Sequence, residues 1–405
     1  MQSNNAYQPH ERAVCPEQRQ GVYKRMNILN YTEEHNDFRM RLRDYLAKEV
    51  IPHVDQWEKE HIVPKEAWRK MGEAGFLCTS VPKEYGGPGL DFMYSLIVSE
   101  EMARTAHSGL MVSLHSDVVV PYIEAFGSEE QKKKYLPGCV TGEIISSVAM
   151  TEPDTGSDLS SMTTTAVEDG DEIVINGTKT FISNGINTNL CIVAARDPQI
   201  DDPYQAISLY LVEGGTPGFK SGRHLEKMGF HSQDTAELFF SNCRIPKENI
   251  LGQKGAGFIM LMQKLQQERL VCSMGAVASA EVVMEHLIEY CKTNPPGQKP
   301  LSKYQATQFQ LVEMMTEVKL GRTFLDKLIA EHMEGSNVVV EVSMSKYWTT
   351  DMVNRIVRQA IDIIGLPAML EELPLARAFR DVRILSIFAG TNEIMKTIAA
   401  RFMGL

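Results

Sequence analysis

The spacing of the apolar residues changes twice along the chain, and this change most limits the folds open to it. From about Tyr31 to Glu143 apolar residues recur at helical spacing, as in FRMRLRDYLAKEV and YSLIVSEEMART. From about Ile144 to Leu251 short β-rich runs replace them, among them EIVING, KTFIS, LCIVAARD and AELFFSNCRIP. After GQKGAGF the helical period returns and continues almost to the end. The pattern predicts an α+β fold in which helical parts flank a β part.

These changes divide the chain into four segments. We expect an N-terminal arm at residues 1–30, a helical domain at 31–143, a small antiparallel sheet or barrel at 144–251 and a helical bundle at 252–405. TNPPGQKP near residue 296 and LPAMLEELP near residue 370 interrupt the bundle.

Composition narrows the functional classes. The 405 residues are 43% hydrophobic and carry a net charge of −11, without a basic stripe, so neither nucleic acid nor an anionic membrane is an expected partner. We expect no apolar run of membrane-spanning length, and the first residues resemble neither a signal nor a transit peptide. Seven cysteines without a C-x-x-C pair indicate a reducing compartment, and with the ten histidines they form no zinc spacing. We therefore expect a cytoplasmic protein without a metal site.

KLQQERLVCSMG, residues 264–275, places a glutamate inside an apolar helical pattern. At helical spacing, Glu268 falls on one stripe with five aliphatic or small residues, namely Leu261, Leu265, Cys272, Gly275 and Ser279. One interpretation is a surface pair with Lys264 one turn away, and the other is a carboxylate that accepts a proton in a pocket. The small residues in SMGAVASA favour a pocket slightly, but the stripe alone leaves both interpretations open.

The middle segment contains a candidate cofactor loop. AMTEPDTGSD, residues 149–158, follows a predicted strand and is rich in hydroxyls and backbone N–H groups, which suit phosphates or the polar edge of a heterocycle. A plain turn with capping side chains is the alternative. In KTFISNG, Phe181 and Ser183 are two positions apart, so we expect them on one face of a strand, where a flat cofactor can rest.

Three motifs together resemble the acyl-CoA dehydrogenase family. They are AMTEPDTGSD, KMGFHSQDTAELFFSNCRIPKENILG at 227–252 and FRDVRILSIFAGTNEI at 379–394, and the resemblance extends from about Tyr31 to Leu405. Within the family the chain is most similar to the long-chain type, through SLHSDVV, QQERL and AGTNEIMK. The resemblance implies a helical N-terminal domain, a middle antiparallel β-barrel and a C-terminal four-helix bundle, assembled as a homotetramer or a dimer.

The resemblance also implies a reaction and a base. Members of this family remove a proton from Cα of an acyl-CoA and pass a hydride from Cβ to N5 of FAD, which gives a trans-2-enoyl-CoA. In many members the base is a glutamate in the last motif, where this chain has Ala389. In a minority it lies in a string like E-R-L on the first helix of the bundle, and Glu268 matches that position. The backbone N–H at Ala389 matches a family donor to the substrate carbonyl oxygen.

The family's other functional positions carry over residue by residue. Positions matching FAD contacts are Met150, Thr151, Gly156, Ser157, Phe181, Ser183, Asn294, Gln305, Thr391 and Glu393. Positions matching substrate contacts are Ser157, Arg269, Phe388, Ala389 and Gly390. Arg269 is alternatively a charge that serves helix packing.

Three positions depart from the family pattern on the side where a neighbouring subunit usually completes the FAD site. Asn294 replaces an arginine, Asp362 a glutamine and Leu366 a glycine. They motivate one alternative, a flavin-poor, non-catalytic relative, and a related flavoprotein oxidase or monooxygenase that uses oxygen is another. For the dehydrogenase, the resemblance implies electron-transferring flavoprotein as the acceptor and a role in fatty acid or organic acid degradation, without specifying the acyl group.

Overall fold

The N-terminal part is built from helices whose ends are marked by capping side chains. The computed structural model describes residues 26, 28–293 and 299–405. The helices of this part are α1 (Glu33–Glu49), α2 (Val54–Glu60), α3 (Lys65–Glu73), α4 (Phe92–Arg104), α5 (Val120–Phe126) and α6 (Glu129–Thr141). The side chain of Thr32 accepts the first-turn N–H of α1, and Asp91 and Ser128 do the same for α4 and α6. A π-helical turn, Leu114–Val119, leads directly into α5.

The middle part is one sheet of eight strands. They are β1 (Ser146–Ala149), β2 (Thr165–Asp169), β3 (Glu172–Ile182), β4 (Leu190–Arg196), β5 (Ile207–Glu213), β6 (Phe219–His224), β7 (Ala236–Pro246) and β8 (Ile250–Leu251). The spatial order is β6-β7-β3-β2-β4-β5-β8, with β1 also paired to β4.

Two details of this sheet differ from the predicted antiparallel barrel. The pairings of β4 with β1 and with β2 are parallel. Neither β1 nor β2 is next to β4 in the chain, so no hairpin turn joins the paired strands. Hairpin signals predict only neighbours in sequence, such as β2 with β3 across Gly170. Within the described residues β6 and β8 are not paired with each other, so the hydrogen-bonded path is open.

The C-terminal part is a helical bundle. Its helices are α7 (Gly257–Thr293), α8 (Gln305–Met333), α9 (Val339–Ile364), α10 (Pro374–Asp381) and α11 (Asn392–Phe402). α7, α8 and α9 pack together around a shared apolar core that includes Met274, Val353 and Ile356, and α11 packs against α9. The three-part architecture predicted from the sequence is therefore confirmed.

Two parts of the prediction need correction. Most of the predicted arm, residues 1–30, lies outside the described residues, but Leu29 is described and is buried in the core of the bundle. Helix α7 contains an 18-residue window with a mean hydropathy of 1.4, which is apolar enough for a membrane span. Since 72% of that window is buried inside the protein, α7 has the character of a core helix of the bundle.

α4 joins the N-terminal part to the bundle by packing on α7. Arg104 on α4 binds Glu285 on α7 at 2.7 Å. On the buried side, Arg322 of α8 binds Glu100 at 3.0 Å and Glu281 at 2.7 Å. These contacts fix the helices that surround the cavity described below.

Candidate active site

A cavity of about 580 Å³ lies where the sheet meets α4, α7 and the segment before α11. Eleven of the residues selected from the sequence line it: Met150, Thr151, Gly156, Ser157, Phe181, Ser183, Glu268, Arg269, Phe388, Ala389 and Gly390. The structure thus brings together residues that are up to 240 positions apart in the chain, from the loop at 149–158, the end of β3, α7 and the segment before α11.

Glu268 is a buried carboxylate on the cavity wall. Its side chain belongs to a residue that is only 7% exposed, and its Oε1 accepts a hydrogen bond of 2.6 Å from the hydroxyl of Tyr122. Burial raises the pKa of Glu268, although Tyr122, Arg269 and Lys264 oppose the shift. A buried carboxylate with a raised pKa is suited to accept a proton.

The alternative of a surface pair between Lys264 and Glu268 is wrong. Both residues are described, and the side chains form no salt bridge within 4.0 Å. The ammonium group of Lys264 instead lies 5.6 Å from the centre of the Phe126 ring. Helical spacing placed the two residues one turn apart, but α5 packs against this face and supplies Glu268 with Tyr122 as its partner.

The structure shows the helix-packing role of Arg269, and its predicted contact with the substrate stays a prediction. Arg269 is 3% exposed, and its Nη1 donates to the hydroxyl of Ser343 on α9 at 3.3 Å, which is a packing contact between helices. It also lines the cavity.

The loop at 149–158 is held by a buried ion pair that the sequence analysis missed. Lys179 on β3 is fully buried, and its ammonium group donates to Glu152 at 2.9 Å and to the carbonyl oxygen of Met150 at 3.0 Å. Glu152 also accepts from the backbone of Thr163 at 2.6 Å and of Thr164 at 2.9 Å. The loop is therefore more than a capped turn, because charged groups fix the position of Met150 against the cavity.

Phe181 and Ser183 both line the cavity, but the predicted reason is wrong. β3 ends at Ile182, and Phe181 has a φ of 57° at an irregularity in the pairing with β7. The left-handed backbone at Phe181, and not simple strand alternation, turns its ring outward, where it is 67% exposed.

This wall of the cavity fits FAD. The exposed ring of Phe181 offers an apolar face for a flat heterocycle, and Thr151, Ser157 and Ser183, which carry hydroxyls, line the same cavity. Met150, Gly156 and Phe181 would bound the ring system, and the hydroxyls would bind its polar edge and the phosphates.

The loop before α11 has an unusual backbone. Ala389 and Gly390 both have positive φ values, of 52° and 86°. The φ of Gly390 lies in the region that favours glycine, and a Cβ atom there would also require the flexible end of the Met395 side chain to move, because its methyl group would be 2.6 Å away. The fully buried Lys346 of α9 donates to the Gly390 carbonyl oxygen at 2.6 Å and so holds the loop against α9.

Three of the predicted cofactor residues, Thr391, Glu393 and Gln305, do not line the cavity, and a fourth lies outside the described residues. The Thr391 hydroxyl caps α11 by accepting from Ile394 N at 3.2 Å, and Glu393 is exposed in the first turn of that helix. Gln305 is exposed at the start of α8, and Asn294 lies outside the described residues. Their roles in binding FAD stay predictions.

Sequence reasoning missed three residues, Lys179, Lys346 and Tyr122, that donate hydrogen bonds to residues of the cavity wall. Lys179 and Lys346 occupy core positions of a strand and a helix, and a lysine in such an apolar pattern is the signal that could have identified them. Tyr122 gave no comparable signal, because tyrosine is common in protein cores.

Cys272 lies one helical turn after Glu268 and also lines the cavity. Burial raises the pKa of its thiol to about 11. All six cysteines among the described residues are free and buried, and those residues include no group of three or more histidine, cysteine or acidic side chains able to hold a metal.

Comparisons with known proteins give a consistent result. Three protein-family models match the chain: the acyl-CoA dehydrogenase N-terminal domain at 32–143, the middle domain at 147–243 and the C-terminal domain at 255–404. The mitochondrial long-chain specific acyl-CoA dehydrogenase of Sus scrofa is 40% identical over 92% of this chain and 86% of its own length.

Solved structures agree with the sequence matches. An acyl-CoA dehydrogenase from Geobacillus kaustophilus superposes with a TM-score of 0.91 at 50% identity, over 93% of this chain and 99% of the other. A glutaryl-CoA dehydrogenase from Mycobacterium smegmatis, solved in complex with FADH2, gives a TM-score of 0.86 at 26% identity, over 93% and 96% of the two chains.

Proposed function

Because the chain belongs to the acyl-CoA dehydrogenase family, whose members dehydrogenate acyl-CoA thioesters with FAD, we propose that Glu268 is the base of this reaction. The observation that carries the proposal is the position of Glu268, buried on the cavity wall, in a chain that has Ala389 in the last motif. The product is the trans-2-enoyl-CoA.

The environment of Glu268 suits proton abstraction from Cα. A thioester α-proton is weakly acidic. A base with a raised pKa, in a site shielded from water, therefore has a smaller pKa difference from this proton and removes it more easily. FAD, when bound, supplies the acceptor for the hydride that leaves Cβ. The walls of the cavity then have to hold the acyl chain so that Cα faces the carboxylate.

We assign the backbone N–H of Ala389 to the substrate carbonyl oxygen. The left-handed backbone at Ala389 and Gly390, with Lys346 bound to the Gly390 carbonyl, fixes the direction of the peptide groups in this loop. A fixed N–H stabilises the enolate oxygen without reorganising, so the loop contributes to catalysis although it lacks a carboxylate.

The proposed substrate is a long or bulky acyl group. The cavity continues along α7 beyond Glu268 to Gly275 and Ser279. Ser279 lies eleven residues further along the helix, which is about 16 Å at roughly 1.5 Å per residue. Met102 and Leu110 add apolar surface, and a Cβ on Gly275 would meet nothing within 4 Å. An extended acyl chain of about ten carbons or more fits this length.

The acceptor, the assembly and the cellular location complete the proposal. We propose electron-transferring flavoprotein as the acceptor, and its reduction without peroxide release would exclude the oxygen-using alternative.

An exposed apolar stripe on α8, formed by Phe309, Val312 and Leu320, supports assembly as a homotetramer or dimer. Light scattering would test this assembly. A cytoplasmic location rests on composition and is testable by cell fractionation.

The variant Glu268→Gln tests the assignment of the base. It keeps the size of the side chain and removes its basicity, so we expect normal FAD content and a loss of about 100- to 10,000-fold in the rate of flavin bleaching by acyl-CoA under anaerobic conditions. Glu124→Gln is the matched control, since burial raises the pKa of Glu124 as well, but this residue does not line the cavity. Bleaching by Glu268→Gln at the rate of the unmodified enzyme would refute the assignment.

A further inference from the structure

Tyr122 is the one hydrogen-bond partner that the structure gives to the carboxylate of Glu268 within the described residues. Its hydroxyl donates to Oε1 at 2.6 Å, from α5 to α7, across 146 positions in sequence. The tyrosine is fully buried and does not line the cavity, so it touches the base without touching the space for the substrate. Its ring packs against Phe126, with ring centres 6.1 Å apart.

We propose that Tyr122 is a positioning residue for the base, which fixes the orientation of the Glu268 carboxylate and keeps it ionised. This inference rests on the proposed role of Glu268. With Oε1 held by Tyr122, rotation about the last side-chain bond is restricted, and Oε2 is left to meet the substrate. A base held in one orientation loses less entropy when it accepts the proton.

The hydrogen bond also acts on the proton affinity. Burial alone disfavours the carboxylate form, whereas a donated hydrogen bond favours it, so Tyr122 limits how far the pKa of Glu268 rises. Tyr122 remains a donor because burial, followed by the charge of Glu268, holds its own pKa well above the usual range. The base is thereby desolvated but still able to accept a proton near neutral pH.

Other titratable groups surround this pair. Lys264 and Arg269 lie on α7 itself, and both lower the pKa of Glu268. Glu124 on α5 interacts with Lys264, and Lys346 on α9 interacts with Arg269 and Cys272. Asp117, whose carbonyl oxygen accepts from Gln267, is buried with a pKa raised to about 7. Of these groups, Tyr122 alone is hydrogen-bonded to the Glu268 carboxylate among the described residues.

Tyr122→Phe tests the proposal, since it removes one hydroxyl and keeps the buried ring. We expect flavin bleaching at neutral pH to slow about tenfold or more, because hydrogen bonds to charged groups are among the stronger ones in proteins. We expect the pH profile of kcat to move to higher pH, so that the loss shrinks as pH rises. FAD content and KM should stay unchanged, because Tyr122 does not line the cavity.

Tyr135→Phe provides the matched control. Tyr135 is also buried, and its hydroxyl donates to a glutamate, Glu213, at 2.8 Å, but neither residue lines the cavity. Its removal should leave the rate and the pH profile of bleaching unchanged.

The outcomes separate this proposal from the assignment of the base. An unshifted pH profile for Tyr122→Phe, whether the rate is normal or falls equally at every pH, overturns the positioning role. If Glu268→Gln is inactive in the same experiments, the base assignment survives that result. If Glu268→Gln bleaches normally, both proposals fail together.

Discussion

Two buried glutamates near the cavity have opposite properties. Glu152 in the loop at 149–158 is 3% exposed and Glu268 on α7 is 7% exposed, so both are almost completely shielded from water. Although burial pushes the pKa of Glu152 upward, Lys179 and the donors from Thr163 and Thr164 outweigh it and hold the pKa at about 2. Glu268 has one hydroxyl donor, and its pKa rises.

The comparison shows that burial does not decide what a carboxylate does. The number and charge of the groups that donate to it decide. Surrounded by an ammonium group and several N–H and O–H donors, Glu152 stays ionised and fixes a loop. Given one donor beside an open cavity, Glu268 keeps the ability to accept a proton.

The largest expected effect comes from removing Lys179, the cation of the buried pair with Glu152. Lys179→Met leaves Glu152 buried without its countercharge, so we expect the free energy of unfolding to fall by about 3–5 kcal/mol, with a loss of bound FAD because Met150 loses its partner. Denaturant unfolding and the visible flavin spectrum measure both effects.

The double variant Lys179→Met/Glu152→Gln is the control for this experiment. It removes the uncompensated charge and should recover part of the lost stability. If the single variant unfolds at the same denaturant concentration as the unmodified protein, Glu152 does not depend on Lys179 and the comparison fails.

The next effect is the pH dependence of stability from Glu152. Its folded pKa of about 2 lies below the unfolded value of about 4.5, so the stabilisation is fully present above pH 4.5 and is lost as pH falls towards 2. Its size is on the order of 3 kcal/mol. Unfolding curves for Glu152→Gln should show lower stability at pH 7 and a smaller decline between pH 4.5 and 2. An equal decline in both proteins would contradict the assignment.

The smallest effect has the opposite sign and belongs to Glu268. Its folded pKa is raised, so between the unfolded and folded values the native state binds more protons, and stability falls as pH rises. Glu268→Gln removes this cost and keeps an oxygen for Tyr122, so we expect a gain of about 1 kcal/mol at pH 7. The thermal unfolding midpoint measures it.

Glu213→Gln is the matched control for this gain. Lys134 lowers the pKa of Glu213, so its amide variant should not be stabilised. If Glu268→Gln loses stability as well, the carboxylate of Glu268 is satisfied in the native state, and its contrast with Glu152 disappears.

Much of the fold was predictable, because the period of apolar residues determines which face of an element is buried. The same period placed Glu268 with Cys272 and Gly275 on the face that now lines the cavity. It could not provide the partner, since Tyr122 comes from another helix and contact across 146 positions depends on packing.

Other misses have similar physical causes. The parallel pairing of β1 with β4 depends on strand order, which turn signals do not encode. The positive φ of Phe181 and of Ala389 is a backbone property that side-chain type does not predict, because most residues avoid this region. Lys179 and Lys346 were overlooked because lysine is rarely fully buried.

The thiol of Cys272, one turn from the base, has a consequence for the survival of the enzyme. A trans-2-enoyl thioester is an electrophile at Cβ, and a thiolate beside it would add to the double bond and alkylate the protein. Burial holds the pKa of this thiol at about 11, so the sulfur remains protonated and a poor nucleophile at neutral pH. Burial of Cys272 beside the proposed base thereby protects the protein from alkylation by an enoyl product.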